Sequence, residues 1–321
     1  MKNQYKILMA MIGLFASVTA GAQTYPTQVI RLVIPYATGG SSDVIGRAIG
    51  QKLSVQMGQP VVLDNRPGAN SIVGADIVAK SKPDGYTLLL ATLATLVHNQ
   101  ILYKDLPYNV ARDFAPITQI CAYPFAIVAS NTLSADTLPA LVALAKQKPG
   151  QISYGTTGNG STGHLGGALL ESAAGIKLTH VAYKGTAPAT LDLLAGRVQL
   201  MVTGLLAIQT HVQAGKLKLI AVGSNKRAPS YPKLSTISES YPGIVLETWY
   251  GIVGRAGTAS PIIARLNREI ILALEQPDVR KLLETQGFDV VHGTPEAMSA
   301  LIAEETLRIG KVARDSNIQL E

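Results

Sequence analysis

Ile30 to Ile34 constrains this chain more than any other stretch, because a glycine turn and a helix come directly after it. The run is short, apolar and rich in β-branched residues, which predicts a buried strand. Pro35 ends it, and Gly39-Gly40 lets the chain turn through conformations that other residues avoid. Ser41 or Ser42 suits an N-cap, and Asp43 suits the first turn of a helix. Val44, Ile45, Ala48, Ile49 and Leu53 recur at helical spacing and predict its apolar face. A strand, a glycine turn and a helix N-terminus make a ready anion site, since free N–H groups converge at the positive end of the helix dipole. The same spacing also describes an ordinary βα turn. The functional reading gains weight because the chain repeats the device.

Pro60 to Asp64 is a second short strand, closed by Asn65-Arg66-Pro67-Gly68-Ala69-Asn70. Ser71 to Lys80 is then a helix with Ile72, Val73, Ile77 and Val78 on its apolar side. Tyr86 to Ala91 is a third strand, ending in a Thr92-Leu93-Ala94-Thr95 loop at a carboxyl end, where α/β sheets place ligands. This alternation predicts a parallel sheet covered on both faces. Phe114 to Ser130 is extended, and Leu138 to Gln147 is helical. Ile152 to Tyr154 then runs into a glycine-rich loop, Gly155 to Gly163, and a helix from His164 to Ala174. Leu178 to Tyr183 ends in Lys184-Gly185, and Val198 to Val202 ends in Thr203-Gly204. Pro295 opens a final helix with Met298, Leu301, Ile302 and Leu307 on its inner face. Two similar α/β halves facing each other across a cleft is the natural reading.

The first 22 residues stand apart. Lys2 and Lys6 precede an uncharged apolar run from Ile7 to Ala20, and small residues offer a cleavage site at Val18-Thr19-Ala20 or at Ala20-Gly21-Ala22, the second favoured. This is the pattern of a Sec-type signal peptide, cleaved after Ala22, and predicts export to the periplasm. Removing both lysines leaves 26 basic against 21 acidic residues, a net of +5. The basic residues are spread along the chain, without the clustering that nucleic-acid binding uses. Cys121, the only cysteine, lies in an apolar run and is read as a small buried hydrophobe, with no internal disulfide.

Gly158, Gly160 and Gly163 spell G-x-G-x-x-G between a strand and a helix. A dinucleotide fold would place an acidic residue at the end of the next strand, whereas this chain has Tyr183-Lys184-Gly185 there. The loop serves equally well as a nest of N–H groups and hydroxyls for a carboxylate. No G-x-S-x-G elbow, H-E-x-x-H pair or C-x-x-C occurs, and the five histidines are isolated in sequence. Asp43 is read as a carboxylate complementing the helix dipole rather than a general base. His164 is read as a first-turn residue bonding locally or as a donor at the cleft rim. Trp249 and Tyr36 suit both an apolar ligand wall and a core. Neither an enzyme nor a cofactor or metal is expected.

Several motifs together carry a resemblance. They are Tyr25-Pro26 with Ile30-Arg31, Pro35-Tyr36-Ala37-Thr38-Gly39-Gly40-Ser41-Ser42-Asp43, and Gly58-Gln59-Pro60-Val61-Val62. Asp64-Asn65-Arg66-Pro67-Gly68-Ala69, Pro83-Asp84-Gly85-Tyr86-Thr87-Leu88, Leu106-Pro107-Tyr108, Asp113-Phe114-Ala115-Pro116 and Tyr183-Lys184-Gly185 continue in order. The chain resembles the periplasmic solute receptors of the tripartite tricarboxylate transporter family, also called Bug receptors. The resemblance implies an α/β, type II periplasmic-binding-protein fold: two α/β lobes joined by two crossing strands, with a ligand cleft between them. It places lobe 1 at 23–124, lobe 2 at 125–246 and the return to lobe 1 at 247–321. It also implies a monomer that takes a small organic carboxylate. The partner would be a membrane permease or, for an orphan receptor, a sensor-kinase ectodomain. Tyr36, Ala37, Gly39, Gly40, Ser41, Ser42, Thr92 and Thr95 would face the ligand from lobe 1. Thr156, Gly158, Asn159, Ser161, His164, Lys184, Gly185 and Thr203 would answer from lobe 2. Family members commonly carry an Asp where Thr203 stands, so a ligand without an amine is expected. The apolar Leu93, Leu96 and Val97 hint at an aliphatic or aromatic ligand portion. The rival from another class is a periplasmic enzyme that uses the G-x-G-x-x-G loop for a phosphorylated cofactor.

Overall fold

The computed structural model describes residues 25–224, 226–227 and 231–315. The signal peptide expected over residues 1–22 lies outside them. Strand β1 (Ile30–Ile34) pairs in parallel with β2 (Val61–Asn65) on one side and β3 (Thr87–Thr92) on the other. The expected all-parallel sheet ends there. The next strand, β9 (Glu247–Arg255), lies antiparallel to β3, because it returns from the far end of the chain instead of crossing over through a helix.

The long strand β4 (Phe114–Ser130) organises the rest. From Phe114 to Pro124 it pairs with β9, and its Cys121 and Ala122 also pair with β10 (Asp289–Val290). From Phe125 onward its partners change to β7 (Leu200–Gly204) and β8 (Leu217–Val222). β5 (Ser153–Thr156) then lies between β7 and β6 (Thr179–Ala182), parallel to both. β4 thus crosses from one lobe to the other, and the chain returns just before β9, the pairing changing hands at Pro124 and Glu247.

Strand alternation explains how each sheet is buried on both faces. In the first lobe Ile30, Leu32 and Ile34 meet Ile45, Ile49 and Leu53 of the helix Ser41–Met57. Val33, Leu89, Trp249 and Val253 face the opposite layer, against Val78, Met298 and Ile309. In the second lobe Ile127, Leu200 and Val202 point one way, and Ala126, Val128 and Met201 the other. Two expected apolar faces need correction. Val73 is exposed, because Gly74, Ala75 and Val78 make the close approach to the sheet. Leu307 is 76% exposed, since Ile309 and Ala313 take the inward positions of Pro295–Asp315.

Asp113 locks the start of β4. Its carboxylate receives Arg112, the Asn109 N–H and Arg255 Nη1, at 2.7–3.2 Å. The Arg112 guanidinium in particular holds the carboxyl well below the usual carboxylate range. A depressed folded-state pKa stabilises the protein above the unfolded pKa of about 4 and loses that contribution as pH falls below it. Asp113→Asn is therefore expected to cost about 2 kcal/mol at pH 7 and progressively less as the pH falls below about 4. Thermal midpoints measured from neutral to strongly acidic pH check this.

Candidate ligand-binding site

The first glycine turn leaves a helix end open. Gly40, not Ser41 or Ser42, occupies the N-cap position, in an extended conformation with no side-chain cap. Ser41 and Ser42 become the first helical residues, so their N–H groups lack intrahelical acceptors. Ala37, Gly39 and Gly40 are exposed, whereas Ser42 is buried and its Oγ donates to the Tyr250 hydroxyl at 3.3 Å. Asp43 Oδ2 accepts the Gly39 N–H, and both its oxygens bind Arg47. Asn65 adds a further bond to Oδ1. Burial opposes this charge, but those hydrogen bonds outweigh it and the pKa falls. Asp43 is a fully occupied brace with no proton to exchange at neutral pH.

Thr92 ends β3, and the expected loop is a π-helical turn, Ala94–His98, continuing into the helix Asn99–Leu102. Thr92 and Thr95 are buried and joined by their hydroxyls at 3.0 Å. The chain of hydroxyls runs outward to Tyr36 Oη, 2.9 Å from Thr92, and inward to Ser71 Oγ, 2.8 Å from Thr95. Tyr108 Oη donates to the Thr95 carbonyl, and Asn99 reaches both Tyr108 and Asn70. Ser71 reaches this position through three consecutive left-handed residues, Ala69, Asn70 and Ser71, at φ 43°, 48° and 75°. Strain of this kind is tolerated where the surroundings over-determine it. Thr95→Val keeps the shape but removes the hydroxyl that joins Ser71 to Thr92, and is expected to cost about 1.5 kcal/mol in chemical denaturation. Leu93, Leu96 and Val97 point into the core with Trp249 and Val253, so their apolar character serves packing.

The second glycine turn is built differently. Gly158 and Gly160 have φ of 137° and 73°, and Ser161 caps the helix Thr162–Ala174 by accepting the His164 N–H. Gly163 lies so close to β7 that a Cβ would overlap the Val202 carbonyl oxygen. His164 Nδ1 accepts the Gly160 N–H at 3.2 Å, and its ring stacks on His180 with centroids 4.0 Å apart. His180 Nε2 lies 2.7 Å from Thr156 Oγ1. Burial, and then the His164 ring, push the His180 pKa down to about 4, and burial lowers that of His164. Both rings are neutral at physiological pH.

Asn159 and Lys184 are exposed, Thr203 is buried in β7 opposite Ala126, and Gly185 caps the helix Thr186–Leu194 without a side-chain bond. The structure thus joins Tyr36, Thr92 and Thr95 in one network and Thr156, Gly160, Ser161 and His164 in another. His98, three residues beyond Thr95 on the π-helical turn, reaches the second network, its Nδ1 lying 3.3 Å from the Gly160 carbonyl. Ser71, Asn99, Tyr108, His98 and His180 belong to these networks, and sequence reasoning did not single them out. The β5–β6 register that pairs Tyr154 with His180 is the local signal for the last of them. Trp249 and Cys121 fill cores, and burial pushes the Cys121 thiol up. Among the described residues no cluster of three His, Cys, Asp or Glu could hold a metal ion.

The model of the family described as tripartite tricarboxylate transporter family receptor matches residues 45–318. "Protein BugT" of Bordetella pertussis is 35% identical over 322 residues, 98% of each chain. The structure "R. palustris Rpa4515 with adipate" is 33% identical, covers 92% of this chain and 99% of its own, and superposes with a TM-score of 0.87. MatC from Rhodopseudomonas palustris with bound malate is 28% identical, with a TM-score of 0.83 over 90% of this chain and 99% of its own.

Proposed function

We propose that this chain, which belongs to the tripartite tricarboxylate transporter receptor family, captures a small organic carboxylate between its two lobes. The observation that carries the reading is the helix N-terminus at Gly40, which no side chain caps and which follows four residues after Tyr36, whose hydroxyl bonds Thr92. Unpaired N–H groups and a positive dipole end are what a carboxylate needs. Residues to 124 and from 247 would form lobe 1 and residues 125–246 lobe 2, a division that the change of partners along β4 supports. The adipate and malate bound by the two Rhodopseudomonas palustris proteins support a dicarboxylate as the ligand class. Thr203 offers a hydroxyl and no charge, so the ligand carries no ammonium group.

Exported to the periplasm, the receptor would close on its ligand and present it to a membrane permease of the tripartite type. It would act as a monomer and catalyse nothing. Against the dinucleotide alternative stands the end of β6, where Tyr183-Lys184-Gly185 offers no acidic residue to hold a ribose. A thermal-shift screen of residues 23–321 against dicarboxylates, tricarboxylates, amino acids and nicotinamide cofactors tests the reading. A ligand at about 100 times its Kd adds roughly 2.7 kcal/mol. A dicarboxylate that raises the midpoint and is not consumed is expected; a response to nicotinamide cofactors alone would overturn the reading.

A further inference from the structure

His98 and Gly160 belong to different lobes, yet they are bonded. His98 closes the π-helical turn three residues beyond Thr95, and Gly160 is the middle glycine of the second-lobe loop. Among the described residues this is the one side-chain hydrogen bond that spans the lobes. A carbonyl oxygen only accepts, so Nδ1 must carry the proton. A neutral ring in that tautomer has a bare Nε2, and Nε2 is indeed buried without a partner. The side chain is 1% exposed, and burial, reinforced by Arg308, brings its pKa down to about 3. Gly160 is held from both sides, since its N–H donates to His164 while its C=O accepts from His98. Leu165, just beyond, packs into the first lobe's cluster with Val97 and Trp249.

We propose that His98 is a positioning residue that fastens the Gly158–Gly163 loop to the first lobe when the lobes meet, and so sets how long a captured ligand stays. The consequence for the ligand rests on the reading of that loop as ligand-facing; the clasp itself does not. Losing the donor leaves the Gly160 carbonyl unpaired in the closed form and should lower the closed-to-open ratio about tenfold. His98→Leu removes the donor while keeping the bulk. His98→Asn retains a donor near the Nδ1 position.

Two measurements decide it. Long-range proton–nitrogen spectra of the wild-type protein should show the His98 ring protonated on Nδ1; a ring protonated on Nε2 would overturn the proposal without need of any variant. Spin labels at Val55→Cys and Leu191→Cys, exposed positions on helices of opposite lobes, report lobe separation in the ligand-free protein. The native Cys121 is buried and would stay unlabelled. The ratio of molecules at the separation found in this structure to those at wider separations should fall about tenfold in His98→Leu and persist in His98→Asn. An unchanged distribution in His98→Leu would overturn the clasp. Adipate dissociation should quicken by a similar factor in His98→Leu. A protein that binds no carboxylate but changes its distance distribution would remove the proposed function and leave the clasp standing.

Discussion

Replacing Gly40 with valine is expected to weaken carboxylate binding by about a hundredfold while leaving the fold intact. Gly40 has φ −88° and ψ 177°, a conformation open to any residue. A Cβ there would meet only the Ala37 carbonyl oxygen, at 3.8 Å. Valine therefore costs the folded chain little. Its branched side chain would stand at the open end of the Ser41–Met57 helix, over the unpaired N–H groups. Each hydrogen bond to a charged ligand contributes about 1.5–3 kcal/mol, so screening one or two of them accounts for the expected loss. Calorimetry with adipate or malate and a thermal melt of the same variant make the check. Unchanged affinity would move the ligand away from this turn.

The second large effect is on stability. Gly163→Ala should destabilise the protein by about 3 kcal/mol, because the added methyl would overlap the Val202 carbonyl oxygen of β7 and not a flexible side-chain end. Helix Thr162–Ala174 would have to lift from the sheet, carrying Ser161 and His164 with it. Affinity should fall together with the melting midpoint. Gly158→Ala is a contrasting case: its φ of 137° makes alanine strained, but the nearest atom to a Cβ is 3.5 Å away. It should perturb the turn locally and leave the helix seated. A Gly163→Ala variant as stable as wild type would mean that the helix can shift at no cost, contrary to its close packing on β7.

How far the sequence could be read depends on the range of the forces involved. Strand β4 is legible from Phe114 to Ser130 because apolar residues dominate it. The exchange of partners at Pro124 is a tertiary event, and only the family resemblance anticipated it. The helix at Ser41 is legible from its periodicity, but its cap is not. Asp43 is drawn to Arg47 and Asn65, and no serine hydroxyl turns back to cap the first turn. Leu307 fails because a 21-residue helix rotates its inner face as it passes along a lobe, and the inward side comes to Ile309 and Ala313. Leu93, Leu96 and Val97 suggested a ligand wall, yet the π-helical turn directs them inward. The polar partners were the hardest to foresee. Ser71 meets Thr95 across 24 residues, His98 meets Gly160 across 62, and local patterning carries no trace of such pairs.

In the proposed function one carboxylate is held from both lobes at once, by the turn at Gly40 and the loop at Gly158–Ser161. Titrating adipate or malate into isotope-labelled protein and tracking the backbone amides tests it most directly. The amides of Gly40, Ser41 and Ser42 should move together with those of Gly158, Gly160 and Ser161, along one saturable curve. Shifts confined to one lobe, or none with any carboxylate, would contradict it.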